Sequence, residues 1–172
     1  FVIKFNSSGT RQWTKPLGTA QNDLANGVSI DSSGNFYVAG VTYKDLDGNT
    51  SAGSADLFVA KYNSSGTKQW TKQLGTSGRD HARGVATDSS GNVFVAGDTY
   101  GGLDGNTNAG YNDLFVVKYN SSGTKQWTKQ LGTSSTDLAN GVATDSSGNV
   151  YVVGYTYGEL DGNTNTGASD IF

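Results

Sequence analysis

Apolar residues occur along this chain in short runs, separated by segments rich in Gly, Ser, Asn and Asp. In the middle of the chain, four strand-like runs cover residues 81–88, 92–100, 113–120 and 125–132, and we call them strands A, B, C and D. The segments 114–117 and 150–153 are apolar at every position, which predicts strands buried on both faces. No stretch has the periodicity of a helix. The pattern therefore predicts an all-β chain.

The connections between these strands predict how they pair. Asp88-Ser89-Ser90-Gly91-Asn92 lies between A and B, and Asn120-Ser121-Ser122-Gly123-Thr124 lies between C and D. Both have the composition of a type I turn followed by a residue at positive φ, a conformation that glycine adopts at little cost. Each is therefore predicted to close a tight antiparallel hairpin. The B–C connection, 101–112, is longer and rich in Gly and Asn.

The four-strand unit repeats with a period of 57 residues. FVIKFNSSGT begins at Phe1, FVAKYNSSGT at Phe58 and FVVKYNSSGT at Phe115, and Phe172 corresponds to the first residue of a further copy. The repeats are 1–57, 58–114 and 115–171, and the second and third are identical at 44 of 57 positions. Tandem four-stranded antiparallel units buried on both faces are typical of β-propeller blades. A β-solenoid is the alternative, but its coils are usually shorter and would not need two hairpins per unit.

Three motifs extend this prediction to a family: DLFVVKYN at 113–120, GVATDSSGNVYV at 141–152 and LDGNTNAG at 103–110. Together with their copies they resemble the bacterial SBBP-type β-propeller repeat family, and the resemblance extends over the whole chain. The resemblance implies a secreted or cell-surface protein, because known members are mostly extracellular and often lie beside adhesion-type domains. It implies no particular ligand.

Composition narrows the classes of function. The net charge is −3 with no basic cluster, which argues against nucleic-acid binding. No apolar run approaches the ~20 residues of a membrane span, so membrane insertion is not expected. Because the chain has no Cys, a disulfide scaffold and a thiolate metal site are excluded.

The order of the strands predicts an incomplete ring. The chain, treated as one propeller segment over 1–172, starts with C and D, continues through two full sets, and ends with A and B. Three units cannot close a ring, so we expect a complete propeller of about six to eight blades. The missing blades come either from a longer chain or from a second copy, which would exchange strands to form a homodimer.

The B–C loops are candidate calcium sites, and calcium is the one cofactor the sequence suggests. Carboxylate and amide oxygens alternate along them, in a pattern similar to the start of an EF-hand loop. An Asx/Gly loop that bonds its own backbone is the alternative. The candidate ligands are Asp47, Asn49, Asp104, Asn106, Asn108, Asp161, Asn163 and Asn165.

Differences between the second and third repeats indicate a candidate binding face. Nine of the 13 differences lie in two regions. One region is the D–A connection and the start of strand A, and the other is the end of strand B and the B–C loop. In a four-stranded meander, both regions are expected on the same face. Binding residues commonly lie on loops held by a rigid scaffold. The candidate ligand-binding residues are Arg79, His81, Arg83, Asp98, Tyr111, Asn112 and Tyr155.

Other chemically capable residues are given structural roles. His81, the single histidine, is expected to be an exposed loop residue, since no nucleophile accompanies it. The repeated Asp23, Asp80 and Asp137 are expected to accept backbone N–H bonds and to tie blades together. Trp13, Trp70 and Trp127 are expected to cover blade edges or pack between blades, with sugar stacking as the alternative.

The sequence thus favours a non-catalytic propeller module that binds a protein or glycan, or that acts as a rigid scaffold. A self-assembling or engineered structural repeat is the second interpretation, favoured by the near-identity of the copies. An enzyme of the quinoprotein or lyase type is the third. It would need unique polar residues and a concave pocket, whereas near-identical copies argue against an asymmetric active site.

Overall fold

The computed structural model describes all residues, 1–172, and consists of thirteen β-strands and two short 3-10 turns. The turns are Leu103–Gly105 and Leu160–Gly162, and no helix has the length and hydropathy that crossing a membrane requires. The strands are β1 (Val2–Phe5), β2 (Arg11–Lys15), β3 (Asp23–Ile30), β4 (Phe36–Thr42), β5 (Asp56–Tyr62), β6 (Lys68–Leu74), β7 (Asp80–Thr87), β8 (Val93–Thr99), β9 (Asp113–Tyr119), β10 (Lys125–Leu131), β11 (Asp137–Thr144), β12 (Val150–Thr156) and β13 (Asp170–Ile171).

These strands form four antiparallel sheets in chain order. The first blade is β3-β4-β5-β6 and the second blade is β7-β8-β9-β10, each in sequence order. The N-terminal half-blade is β1-β2, and the C-terminal half-blade is β11-β12 with the two-residue β13. Strands A to D of the sequence analysis correspond to the first to fourth strands of a blade. The predicted all-β meander is confirmed, and the strand bounds agree with the predicted runs within two residues.

The two hairpin turns of each blade have the predicted geometry. In the second blade Gly91 has φ +76° and Gly123 has φ +80°. The Asp88 side chain accepts hydrogen bonds from the backbone N–H groups of Ser90 and Asn92, at 2.9 Å each. An Asx side chain that bonds its own turn in this way fixes the hairpin locally.

Consecutive sheets stack face to face, and their A strands lie side by side. The largest apolar core joins the first blade, through Tyr37 and Val59, to the second, through Val95 and Phe115. A Cβ on Gly27 of β3 would lie only 3.3 Å from the backbone N of Val85 in β7, so glycine permits the close approach of these strands. This arrangement is that of blades packed around a common axis.

Hydrogen bonds between the A strands continue this contact. The hydroxyls of Ser29 and Thr87 lie 3.1 Å apart, and the Thr144 hydroxyl donates to the Thr87 carbonyl at 2.9 Å. One Ser or Thr per blade therefore links its A strand to the next, so the spacing of the blades is set by polar bonds as well as by the apolar core.

The prediction that strands are buried on both faces is confirmed for β9, inside the stack of sheets. It is wrong for β12, in the last sheet. Leu114–Val117 in β9 are all buried, but Tyr151 and Val153 of β12 are more than half exposed. Their counterparts Phe94 and Ala96 are buried, and Ala96 belongs to a core that includes Ala139 of the following sheet. The sequence of β12 is that of an interior strand, whereas no sheet of this chain covers its outward face.

Candidate functional site

The two connections that vary between repeats lie on one face of the molecule and bond to each other. Asn112, at the end of a B–C loop, pairs in parallel with Thr136 in the next D–A connection. The backbone N–H of Tyr111 donates to the Ser135 carbonyl at 3.2 Å, and that of Asp137 donates to the Asn112 carbonyl at 2.8 Å. The varied positions therefore form one continuous surface across neighbouring blades.

A polar cluster lies beneath this surface in the second blade. Asp98, in β8, is 1% exposed and has three polar neighbours. Its carboxylate accepts hydrogen bonds from Arg83 Nε and, at 2.9 Å, from Asn112 Nδ2, and it lies 4.0 Å from His81 Nδ1. The structure thus brings together four of the seven predicted ligand-binding residues.

The cluster occurs once in the chain. His81 is paired across the strands with Asp98, whereas the first blade has Leu24 opposite Val41 at these positions. In the C-terminal half-blade, Leu138 lies opposite Tyr155. An apolar cross-strand pair is therefore replaced in the second blade by a buried carboxylate with charged and amide partners.

The expectation that His81 is an exposed loop residue is wrong. His81 lies within β7, its side chain is 24% exposed, and its buried Nε2 atom has no hydrogen-bond partner. Burial lowers the pKa of His81, and Arg83 and Arg79 add to this, while Asp98 and Asp80 oppose it. The lowered pKa favours a neutral His81 near pH 7, with its Nδ1 atom 4.0 Å from the Asp98 carboxylate.

The other predicted face residues are more accessible. Arg79 and Tyr111 are exposed, and Tyr111 is 72% exposed. Tyr155 is partly buried and meets Tyr157 edge to face, with ring centroids 5.6 Å apart. Sequence differences could not indicate Tyr100 and Tyr157, because both repeats have Tyr there, yet both rings are about half exposed at the ends of their B strands.

The candidate calcium loops are held by bonds to protein groups. In the second blade, Asp104 pairs with Lys125, and in the first, Asp47 pairs with Lys68 at 2.5 Å and accepts from the Thr71 hydroxyl at 2.6 Å. Burial raises the pKa of Asp104, but the bond from the Lys125 ammonium opposes it, and the pKa is held below its ordinary value.

The amide residues of these loops bond the local backbone. Asn106 and Asn49 donate to the carbonyls of Leu103 and Leu46 at 2.8 and 2.7 Å, and Asn163 donates likewise to Leu160. Asn108 donates to the Gly110 carbonyl at 2.8 Å, and its buried Oδ1 has no partner. Asn165 and Asp161, in the C-terminal half-blade, are the remaining candidates, and Asp161 forms no ion pair.

The structure has no group of three or more acidic or histidine side chains that could hold a metal ion together. At Asp47, Asp104 and Asp161, where the alternating pattern of each candidate set starts, the backbone has φ between +52° and +54°. Calcium binding at these loops stays a prediction, and in the first two loops it would have to compete with a lysine.

The structural roles predicted for the repeated Asp and Trp residues are confirmed. Asp80 accepts hydrogen bonds from the backbone N–H of Thr76, at 2.6 Å, and from the Thr99 hydroxyl, which ties the D–A connection to the second blade. Burial raises its pKa, against the effect of these bonds. The indole of Trp70 packs on the C–D turn of the next blade, at Gly123.

Sequence reasoning missed a glutamine bridge in strand D. Gln130 accepts a hydrogen bond from the Leu103 N–H at 2.9 Å and donates to the Asp113 carboxylate at 2.9 Å. Gln73 makes the same bonds to Leu46 and Asp56. Repetition at a 57-residue interval was the available signal, but the first repeat has Pro16 at this position.

None of five surface cavities includes the polar cluster. The largest is lined by residues of the C-terminal half-blade, including Thr156, Leu160 and Phe172, at the edge where strands C and D of an interior blade would lie. Others lie along the exposed faces of β1 and β3. His81, Arg83 and Asp98 line none of the five.

The fold, the repeated four-stranded sheets and their stacking define a β-propeller repeat protein. The SBBP β-propeller repeat model matches the chain three times, at residues 12–47, 69–104 and 126–161. The chain therefore belongs to the SBBP β-propeller repeat family, as the sequence motifs indicated.

Two relatives have low identity and are much longer. An uncharacterised WD repeat-containing protein of Acanthamoeba polyphaga mimivirus is 24% identical over 199 residues, which cover 93% of this chain and 14% of that protein. The regulatory protein FlaEY of Caulobacter vibrioides is 32% identical over 133 residues, 73% of this chain and 14% of its own length. The chain thus spans about a seventh of each relative.

Proposed function

We propose that this chain is a non-catalytic binding module of an extracellular or cell-surface protein. Its ligand, a protein or a glycan, would contact the face formed by the D–A and B–C connections, which we call the variable face. The observation that supports this most strongly is the second-blade cluster, where a buried Asp98 fixes Arg83 and Asn112 next to exposed side chains of the same face.

The composition of the variable face suits recognition. Tyr100, Tyr111 and Tyr157 are each about half exposed or more, and Arg79 is exposed as well. Tyrosine and arginine supply much of the binding energy at protein interfaces, because they combine large contact area with few rotatable bonds or with several donors. The opposite face carries the DSSGN and NSSGT turns, whose Asp and Asn side chains bond within the turns.

To test this proposal, the chain is screened for binding against a glycan array and a displayed peptide library. A ligand that is lost in Arg79→Ala and Tyr111→Ala but kept in Ser90→Ala and Ser122→Ala, on the opposite face, would support binding at the variable face. A ligand with the reverse dependence would refute it. The scaffold interpretation predicts no ligand for either face.

The same cluster distinguishes a binding module from an enzyme. His81 and Asp98 are within 4.0 Å, but no Ser, Thr or Cys is hydrogen-bonded to His81, and its Nε2 atom is buried. An enzyme would lose turnover in His81→Leu, whereas a binding module would keep the affinity that depends on Arg79 and Tyr111.

A further inference from the structure

We propose that the variable face of the second blade binds an acidic saccharide, a uronate, and that Arg79 receives its carboxylate. This inference rests on the proposed function, because it names the class of ligand that the face would take. The second blade is packed between two other sheets, since its first strand, β7, contacts both β3 and β11. The surface in question therefore belongs to an interior blade.

The charge of the variable face is reversed in the second repeat. Among the nine positions of this face at which the second and third repeats differ, the only charged residue is Asp45 in the first repeat and Glu159 in the third. In the second repeat a glycine replaces this acid, and two arginines, Arg79 and Arg83, stand against one Asp98. These nine positions are therefore positive in the second repeat and negative in its copies, within a chain whose net charge is −3.

The acidic groups of this part of the second blade are buried, whereas the cationic groups reach the surface. Asp80, Asp98 and Asp113 are each at most 1% exposed. Arg79 is exposed and forms no ion pair. The Arg83 side chain is 37% exposed and bonds Asp98 through Nε, which leaves its Nη groups to donate elsewhere. The face thus presents charged donors of the kind that bind carboxylates most strongly.

Exposed aromatic rings accompany these donors. The backbone N–H of Tyr100 donates to the Arg79 carbonyl at 2.9 Å, one residue beyond the Asp80–Thr99 pair of the β7–β8 ladder. Tyr100 is 48% exposed, and Tyr111, in the B–C connection of the same blade, is 72% exposed. A tyrosine ring can stack on the C–H groups of a sugar while its hydroxyl bonds a sugar hydroxyl. Arginine and aromatic groups therefore lie side by side.

This surface suits a saccharide better than an acidic peptide. None of five surface cavities is lined by Arg79, Tyr100 or Tyr111, whereas a peptide needs pockets for its side chains. The backbone N–H of Tyr111 already donates to Ser135, and that of Tyr100 to Arg79, so neither pairs with an added strand. A shallow surface with aromatic rings and side-chain donors remains, and it matches the flat face and the hydroxyls of a sugar ring.

A carboxylate carried directly by the sugar ring fits the spacing of these groups. A guanidinium binds a carboxylate through two parallel hydrogen bonds, which fixes the orientation of the group that carries it. Because Arg79 and Tyr100 are direct neighbours, a carboxylate held by Arg79 would bring its own sugar ring to the tyrosine. Uronic acids have this arrangement, whereas an aspartate or glutamate of a peptide has no ring to stack.

Calorimetric titration of the chain with three uronate oligosaccharides tests the inference. The probes are tetragalacturonate, tetramannuronate and a hyaluronan tetrasaccharide, each compared with its methyl ester, which keeps the rings and removes the charge. At least one acid should bind about tenfold or more tightly than its ester, because hydrogen bonds to charged groups are the stronger ones. Arg79→Gln should remove this preference. Tyr111→Ala should weaken acid and ester alike, because stacking on the ring needs no charge.

Lys44→Gln is the matched control for charge. Lys44 is exposed in the B–C connection of the first blade, so this variant removes one positive charge from the same face but outside the site. It should change the affinity by less than about twofold, since exposed charges far from the ligand are screened by salt. Equal losses in Arg79→Gln and Lys44→Gln would indicate attraction by net charge alone and would overturn the inference. Circular dichroism checks that each variant is folded.

The remaining outcomes separate this inference from the proposed function. Binding of none of the three uronates, equal binding of acids and esters, or tighter binding of hexaglutamate or of a sulfated tetrasaccharide would overturn the uronate assignment. If a neutral glycan or a peptide binds instead and depends on Arg79 and Tyr111, the assignment fails and the binding function stands. If no ligand depends on the variable face, both fail.

Discussion

The indole Nε1 of Trp70 donates a hydrogen bond to the backbone carbonyl of Ser121, 3.3 Å away, across the junction between the first and second blades. Lys61 Nζ donates to the same carbonyl at 2.9 Å. The indole ring lies on Gly123, where a Cβ would come within 2.9 Å of it. The C–D turn is therefore a docking surface for the preceding blade, in addition to closing its own hairpin.

This contact predicts that two similar glycines differ in their tolerance of alanine. Gly123 and Gly91 both close hairpins of the second blade at φ near +80°, so each Ala variant has a backbone cost of about 1–2 kcal/mol. Only Gly123→Ala also pushes a methyl group into the indole of Trp70, because the nearest atom to a Gly91 Cβ is 3.5 Å away. Gly123→Ala should lose about 1–3 kcal/mol more. Denaturant unfolding measures the difference, and equal losses would contradict the docking role of the turn.

The Asp98 cluster predicts a large effect from removing one partner. Arg83→Ala leaves a carboxylate that is 1% exposed without its cationic partner, and breaking a buried pair typically costs 3–5 kcal/mol. Because the Arg83 side chain is 37% exposed, we expect a smaller loss of about 1–3 kcal/mol of unfolding free energy. A loss under about 0.5 kcal/mol, within the range of ordinary surface substitutions, would show that Asp98 does not need Arg83.

The first blade supplies a matched control for this variant. Replacing the whole cluster with the first-blade residues removes the charge together with its partners, and should be neutral or stabilising by about 1–4 kcal/mol. Chemical denaturation compares it with Arg83→Ala. If the replacement is as destabilising as the single variant, the cluster is needed for the fold rather than kept for recognition. The substitutions are His81→Leu, Arg83→Asn, Asp98→Val and Asn112→Ala, which copy Leu24, Asn26, Val41 and Ala55.

The lowered pKa of His81 predicts that this residue contributes to the pH dependence of stability. Its pKa is lowered in the folded chain by burial, so the unfolded chain binds more protons as the pH falls below the ordinary value of 6.5. The stability linked to His81 is therefore fully present above that value and is lost at lower pH. Asp98, Asp80, Arg79 and Arg83 face the same ring and remain in both proteins compared.

The variant that tests this is His81→Leu, the residue found at this position in the other two copies. Its unfolding free energy should fall less than that of the unmodified chain between about pH 8 and pH 5. Because the two proteins differ only at residue 81, the difference between the two curves isolates His81. Parallel curves would mean that His81 has the same pKa in the folded and unfolded chain.

The fold was predictable from the sequence because the determinants are local and repeated. The turn sequences require positive φ at Gly91 and Gly123, and the 57-residue period sets the number and order of strands. The environment of His81 was not predictable, because it depends on which residue lies opposite it across the strands. Asp98 is 17 positions away in sequence and becomes its partner only through the register of β7 and β8.

The lysines that bind the B–C loops were missed for a similar reason. Lys125 is 21 residues from Asp104, in another strand, and the loop pattern alone resembles a cation site. The same limit applies to Gln130, whose two partners lie 27 and 17 residues away. The spacing of residues within a loop shows which carboxylate and amide groups are present. The lysine that pairs with the carboxylate comes from another strand of the sheet, and the loop sequence does not indicate it.

Competition with these lysines gives the calcium hypothesis a sharp test. Calcium at the Asp104 loop must displace the Lys125 ammonium, an exposed pair of a kind that typically contributes 0.2–1 kcal/mol. Lys125→Gln should therefore tighten calcium binding by up to about fivefold, and Asp104→Asn in the same background should remove the gain. Calcium titration by calorimetry, after treatment with EDTA, measures both. If Lys125→Gln and the unmodified chain take up calcium equally, or neither takes it up, then the Asp104 loop is a turn stabilised by a lysine and holds no cation of its own.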